Sequence, residues 1–276
     1  MLHTMKYYII NEKGEVLLRW GDVPDVCPVA VPGSQFCHNL GSWHQGFDAI
    51  AFGTPAATVE QAFSENGTTF GQGADLTCPE WQWFGLRDAW LCLSKPDFDA
   101  AVHAAMWVHW DRTTRFCPVC GKSLVRVEEL TKRCPECGKE YYPQIAPAVI
   151  VRVDRGALTL LARAALRPKF FGLVSGFVEG GETFEECVAR ELMEETGIKV
   201  ADIRYFGSQS WPFPSGIMVG YTAKYESGEI CLNDGELLEA GFYSRSEVRE
   251  MNIPKPFSIS RQLIDAWLNA GEQPCS

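Results

Sequence analysis

The sequence predicts a mixed α/β protein: a C-terminal α/β/α sandwich, preceded by a ribbon built on four cysteines and a strand-rich N-terminal domain. Three observations lead there. Thr183 to Ile198 reads as one capped, carboxylate-rich helix set among apolar, strand-like runs. Cys117, Cys120, Cys134 and Cys137 form two Cys-x-x-Cys knuckles. Residues 6–93 carry short β-like runs broken by turns. The chain therefore divides into an N-terminal mixed domain (1–112), the ribbon (113–142) and the C-terminal domain (143–276).

Tyr7–Ile10 and Val16–Trp20 flank Asn11-Glu12-Lys13-Gly14-Glu15, a hairpin signal, and Asp48–Phe52 and Trp90–Leu93 also read as strands. His38 and His44 lie near Cys37 without regular ligand spacing, so loop or core roles outweigh a second metal site. Pro96 to about Arg112 turns helical, with Ser94 or Asp97 as cap and an alanine-rich interior. His103 and His109 do not face one another on that helix and are assigned to packing or surface.

In the knuckles Cys117-Pro-Val-Cys120-Gly and Cys134-Pro-Glu-Cys137-Gly, each pair can chelate one ion from a tight turn that its glycine relaxes. Four thiolates fill a tetrahedral Zn²⁺ and leave no open position, so this four-cysteine zinc ribbon is predicted to be structural. Redox pairs are the alternative, but no thioredoxin-like pattern surrounds them.

Tyr141-Tyr142-Pro143-Gln144-Ile145-Ala146-Pro147 links the ribbon to the C-terminal domain. There Ala148–Val153 and Leu158–Arg163 read as strands around an Asp154-Arg155-Gly156 turn, and Phe171–Val178 leads into a glycine-rich loop. Thr183 and Glu186 make a capping box, and Gly197 supplies a left-handed stop. Phe184, Val188 and Leu192 form an apolar stripe that should face a core. Asp202–Gln209, Ile217–Tyr225, a segment around Glu236–Tyr243 and an amphipathic helix over Ser258–Ala270 complete a sandwich with two helices.

Beside the stripe, Glu191, Glu194 and Glu195 fall at i, i+3 and i+4. Like charges at that spacing destabilise a helix, by a few tenths of a kcal/mol (~0.2–0.5) per exposed pair. A hard divalent cation reverses the sign. A solvated acidic face is the plain alternative; the Arg190-Glu191 pair and the glycine-rich approach weigh against it.

Hydrophobic residues make up 46% and charged ones 22%, the composition of a soluble globular protein. A net charge of −10 argues against non-specific grip on nucleic acid, though not against a pocket for one nucleotide end. Residues Met1 to Lys6 lack a signal-peptide layout and no apolar run reaches membrane-spanning length, which predicts a soluble, cytoplasmic protein. Four of the eleven cysteines sit in the knuckles; the rest are scattered singly, which fits reduced thiols.

Gly176, Glu182 and the run Arg190-Glu191-Leu192-Met193-Glu194-Glu195-Thr196-Gly197-Ile198 resemble a complete Nudix box, GX5EX7REUXEEXGU with U apolar. The resemblance implies the Nudix fold and hydrolysis of a nucleoside diphosphate linked to another moiety. Downstream, Ser208-Gln209-Ser210-Trp211-Pro212-Phe213-Pro214-Ser215 holds two aromatics between prolines. Such rings can present rigid stacking surfaces or simply be core. The stretch resembles SQPWPFPxS, the marker of the NADH pyrophosphatase (NAD-capped RNA hydrolase) subgroup. The four-cysteine ribbon and the YYPQIAP linker agree with it, while Ser210 replaces a proline and Gly216 a serine.

That resemblance implies roles for residues here. Glu191, Glu194 and Glu195 bind catalytic Mg²⁺ or Mn²⁺, with Glu195 or a neighbour handling the attacking water. Arg190 orients the glutamates and Glu182 braces the loop. Ser175 offers its carbonyl to metal and Glu236 completes the site. Gln209, Ser210, Trp211, Pro212, Phe213, Pro214, Ser215 and Gly216 line the substrate pocket, with Phe213 favoured over Trp211 for stacking. Arg87, Glu129, Tyr142 and Ser260 are weaker substrate-binding candidates. The reaction implied is NAD(H) plus water to NMN(H) and AMP, with NAD-capped RNA as a related substrate and a homodimer as the assembly. Two rivals stand beside it: a Nudix hydrolase of ADP-ribose or other dinucleotides, and a non-catalytic nucleotide-binding module.

Overall fold

A computed structural model describes residues 4–19, 25–26, 36–41, 47–65, 81–232 and 235–270. Trp20 and His44 lie outside them. The chain divides into two compact units, Met1–Gln144 with Pro212–Ser215, and Ile145–Trp211 with Gly216–Ser276.

In the first unit, β1 (Thr4–Ile10) and β2 (Val16–Arg19) form the expected hairpin. Its turn is held by Asn11, whose side-chain oxygen accepts from the amides of Lys13 and Glu15, while Gly14 takes a φ of 78°. With β3 (Asp25–Val26), β4 (Phe36–Gly41), β5 (Phe47–Gly53) and, after α1 (Ala56–Glu65), β6 (Trp81–Phe84), they build one sheet ordered β3-β2-β1-β5-β4, with β6 on β2. Trp90–Leu93 is not a strand. It follows the short α2 (Leu86–Ala89), and its amides donate back to Leu86, Asp88 and Ala89, so no donor is left for a ladder.

Helix α3 (Lys95–Thr113) is capped by Ser94, which accepts from the Asp97 amide. Ala100, Ala101, Ala104, Ala105 and Val108 bury a small-residue face among Tyr8, Ile10, Val16 and Leu18. Asp97 is no cap: its carboxylate receives Lys6 at 2.6 Å and Tyr8 at 2.9 Å. The ribbon follows as a three-stranded sheet, β7 (Val125–Glu128), β8 (Thr131–Arg133) and β9 (Glu140–Tyr141).

The second unit is a three-layer sandwich. Its sheet runs β13 (Lys199–Trp211), β14 (Gly216–Ser227), β10 (Ala146–Arg155), β11 (Leu158–Ala164), β15 (Leu237–Tyr243), with β12 (Val174–Phe177) on β10. Strand β10 alternates: Val149, Val151 and Val153 pack with Val188 and Leu192 of α4 (Phe184–Thr196), whereas Ile150 joins Leu263, Ile264 and Trp267 of α6 (Ile259–Asn269). Burial on both faces is why this strand reads as an apolar run from Ala146 to Val151 before Arg152 interrupts it.

Two expectations are corrected. Phe184 heads the stripe but is exposed, and the helix enters the core through Cys187, Val188 and Leu192 instead. A further helix, α5 (Arg245–Glu250), begins at its own Ser244–Glu247 capping box. No described helix is long and apolar enough to cross a membrane.

Candidate active site and zinc centre

The capping box at Thr183 and Glu186 starts α4, and Gly197, at φ 72°, ends it. Between them the helix faces the core through Cys187, Val188 and Leu192 and turns Arg190 and Glu191 toward β12. Arg190 is the hub. Its Nε and Nη2 donate to both oxygens of Glu182, at 3.0 and 2.7 Å, and Nη2 also reaches the Phe177 carbonyl at 3.0 Å. Its Nη1 donates to Glu191 and to Glu194, each at 2.9 Å. Glu182 in turn accepts the Glu179 amide at 2.7 Å, which closes the glycine-rich loop.

Electrostatics follow from this wiring. Arg190 and the Glu179 amide hold the Glu182 carboxyl down to about 2. Glu191 moves the other way: burial raises its carboxyl, Arg190 opposes, and the charges of Glu194 and Glu236 push it further up. Burial also pushes the Cys187 thiol up to about 12, leaving it an inert packing residue.

Gly176 explains how Glu191 fits. A Cβ there would lie 1.8 Å from the Glu191 carboxyl carbon, so the glycine vacates the space that the carboxylate occupies. Ser175, beside it, pairs with Ile150 in the sheet. Glu195 is 6% exposed, sharing the buried side of the helix with Leu192. Glu236 lies just before β15, where its carbonyl accepts the Ala165 amide. The oxygens of Glu191, Glu194 and Glu195 are not drawn within 4.8 Å of one another as a trio; Arg190 intervenes. Hard oxygen donors that repel one another beside a raised carboxyl nonetheless suit a Mg²⁺- or Mn²⁺-sized ion.

The zinc donors are assembled more tightly. Cys117, Cys120, Cys134 and Cys137 bring their sulfurs within 4.8 Å of one another, with contacts of 3.6 and 3.4 Å. Tetrahedral Zn–S bonds require sulfur separations of about 3.8 Å, so the residues fit the ion. Among the described residues no second such cluster occurs. His38 instead lies between two carboxylates, 3.2 Å from Asp111 and 3.2 Å from Glu129.

The remaining candidates are dispersed. Gln209 spends its side chain on backbone, donating to Phe257 and accepting from Ile259, both at 2.8 Å. Ser210 ends up exposed near the tip of β13, and Ser260 is buried in the first turn of α6. Trp211 stacks on Phe257, centroids 6.2 Å apart and planes at 14°. Phe213 belongs to the other unit, where it packs against the N-terminal core with the Arg87 guanidinium 3.7 Å above its ring. Pro212, Pro214 and Ser215 share that loop, and Ser215 donates to the Gln144 carbonyl at 2.8 Å. Gly216 restarts pairing opposite Ala146, whose carbonyl would lie 3.2 Å from an added Cβ. Tyr142 is exposed and donates to Glu140 at 2.6 Å. Glu129 also accepts the Asn39 amide at 3.1 Å.

Three further participants lack a signal in the sequence. Phe257 belongs to no motif, and Tyr141 carries only the mark of a linker. Asp111 gathers Lys132 at 2.5 Å, Arg126 and His38. Burial alone would raise its carboxyl, but these partners hold it down to about 2. An aspartate at a helix end carries no local mark of such a role.

The model of the NUDIX domain matches residues 142–265, and that of the NADH pyrophosphatase zinc ribbon domain matches 112–142. The protein named NAD-capped RNA hydrolase NudC of Chromobacterium violaceum is 41% identical over 192 residues, 69% of this chain and 72% of that one. The chain belongs to the Nudix family, in the branch that carries this zinc ribbon. A Nudix relative of the same name from Pseudomonas syringae pv. syringae is 39% identical over 191 residues, 67% of each chain. The crystal structure of a NUDIX hydrolase from Nitrosomonas europaea shares the fold, with a TM-score of 0.50 at 24% identity over 58% of this chain and 95% of that one.

Proposed function

We propose that this Nudix protein is a divalent-metal-dependent pyrophosphohydrolase that cleaves NAD(H) to NMN(H) and AMP and removes the NAD cap from RNA 5′ ends. The observation that carries the reading is the Glu191 carboxylate seated in the space that Gly176 leaves open, beside Arg190 and Glu194. Its relatives' name supports the substrate.

In this reading Glu191, Glu194, Glu195, Glu236 and the Ser175 carbonyl hold Mg²⁺ or Mn²⁺, and the four cysteines hold Zn²⁺. The divalent ion supplies charge neutralisation on the pyrophosphate and a more acidic bound water. Arg190 keeps the glutamates in register through its bonds to Glu182, Glu191 and Glu194. Glu195, on the buried side of α4, orients the attacking water or takes its proton. Phe213 supplies a flat surface whose direction Arg87 fixes, suited to a base or nicotinamide ring. Arg87, Glu129, Tyr142, Ser260 and residues 209–216 complete the substrate site. A cytoplasmic homodimer, and the division at 112/113 and 142/143, belong to the same reading.

The test compares hydrolysis of NADH, NAD⁺, NAD-capped RNA and ADP-ribose at equal concentration with Mg²⁺ or Mn²⁺. Turnover to AMP and NMN(H) is expected. Glu195→Gln keeps size and helix propensity but removes charge, so kcat should fall at least about a hundredfold, ~3 kcal/mol, while melting persists. A folded Glu195→Gln protein with most of its kcat would sink the assignment. No turnover with either metal, or faster turnover of ADP-ribose, would overturn the substrate.

A further inference from the structure

The two knuckles are near copies, Cys-Pro-Val-Cys-Gly-Lys and Cys-Pro-Glu-Cys-Gly-Lys. Their backbones agree: the Cys117 amide donates to Lys122 at 2.8 Å and the Cys134 amide to Lys139 at 2.9 Å. Gly121 and Gly138 both take left-handed φ, 72° and 71°. One contact breaks the repeat. The Tyr141 hydroxyl lies 3.1 Å from Sγ of Cys117, and no hydroxyl bonds the other three sulfurs among the described residues. A metal-bound thiolate has no proton to give, so the tyrosine is the donor.

Tyr141 also ends β9, and the chain beyond it is tightly tied. Pro143 restricts the backbone, and Gln144 Nε2 donates to the Tyr142 carbonyl at 3.0 Å. The Gln144 carbonyl accepts the Ser215 hydroxyl at 2.8 Å. Three residues thus lead from a zinc ligand's partner to the loop that carries Phe213, all within one compact unit.

We propose that Tyr141 is a positioning residue: its hydroxyl, donating to the zinc-bearing Cys117 thiolate, secures the metal and anchors the linker that seats the Pro212–Ser215 loop. Partners of this kind around a metal typically change its affinity by about 10–100-fold. Zinc in this chain then does more than fold a ribbon. It sets where the substrate loop stands, a role that rests on the functional reading above.

Tyr141→Phe keeps the ring and deletes the donor. In the full chain with Co²⁺ in place of zinc, the thiolate-to-metal charge-transfer band should move to lower energy, because the sulfur lone pairs lose a stabilising hydrogen bond. Zinc affinity, measured against a competing chelator, should fall about tenfold. On NADH, KM should rise several-fold while kcat holds within about twofold. Tyr142→Phe is the control for band and affinity, since its hydroxyl bonds Glu140 instead. An unmoved band with unchanged affinity overturns the proposal, and so does an equal loss of affinity in the Tyr142→Phe control. A moved band with unchanged KM overturns the anchoring of the loop. If the wild type does not turn over NADH, the functional reading fails, yet band and affinity still decide the Tyr141–Cys117 contact.

Discussion

Gly176 shows how much one side chain's absence can do. Its φ is not left-handed, so the residue is needed for space rather than for backbone freedom. Gly176→Ala would place a methyl on the end of the Glu191 side chain, a group that can swing aside. The fold should tolerate it, with stability within about 1 kcal/mol of wild type. The site should not, because the carboxylate is expelled from its seat. Activity should drop about tenfold or more, and the Mg²⁺ concentration for half-maximal rate should rise. Melting alongside a metal titration checks both halves; a Gly176→Ala protein with normal metal dependence would remove Glu191 from the site.

At the level of the element, α4 and the loop before it hold two carboxylates of opposite temperament. Glu182 is held down from 4.5 to about 2 by Arg190, so its stabilisation is complete above about 4.5 and lost as pH falls through about 2. Glu191 is raised, so its contribution is complete below 4.5 and is lost as pH rises through its folded value; at neutral pH its charge is a cost. Without divalent metal at pH 7, Glu182→Gln should therefore lower the melting temperature, whereas Glu191→Gln should leave it level or raise it. Added Mg²⁺ should stabilise the wild type more than Glu191→Gln. Equal effects of the two substitutions would mean that the helix is merely an acidic surface.

Across the whole molecule, Trp211 closes β13 of the sandwich, while Pro212–Ser215 belong to the unit that contains the ribbon. Strand alternation would aim residues 211 and 213 the same way, but the strand ends at Trp211 and a turn takes over. Trp211→Ala removes a stacked partner of Phe257 and should reduce stability by about 3 kcal/mol, with a modest effect on KM. Phe213→Ala releases Arg87 and should lower kcat/KM on NADH about tenfold, with less effect on ADP-ribose, which lacks nicotinamide. Kinetics and melting of both variants decide; wild-type kcat/KM in each would make the stretch a packing feature and remove it from the substrate site.

The features legible in the chain alone lie close along it. Caps at Ser94 and Thr183, the stop at Gly197, the knuckle spacing and the apolar run of β10 are short-range patterns, and each reappears in the fold. The Nudix box showed which carboxylates share a helix face, because spacing along a helix dictates that much. It did not show that Gln209 would be consumed by backbone, or that Glu129 would be tied to His38. Nor did any pattern show that Trp90–Leu93 would bond back on α2 instead of joining a sheet. The fates of Gln209 and Glu129 depend on partners far away in sequence, chosen by burial and by which donors and acceptors remain unpaired once the sheets have closed. Tyr141 is the clearest case: its hydroxyl meets Cys117 only because β8 and β9 pair across the ribbon, and no local pattern marks that meeting.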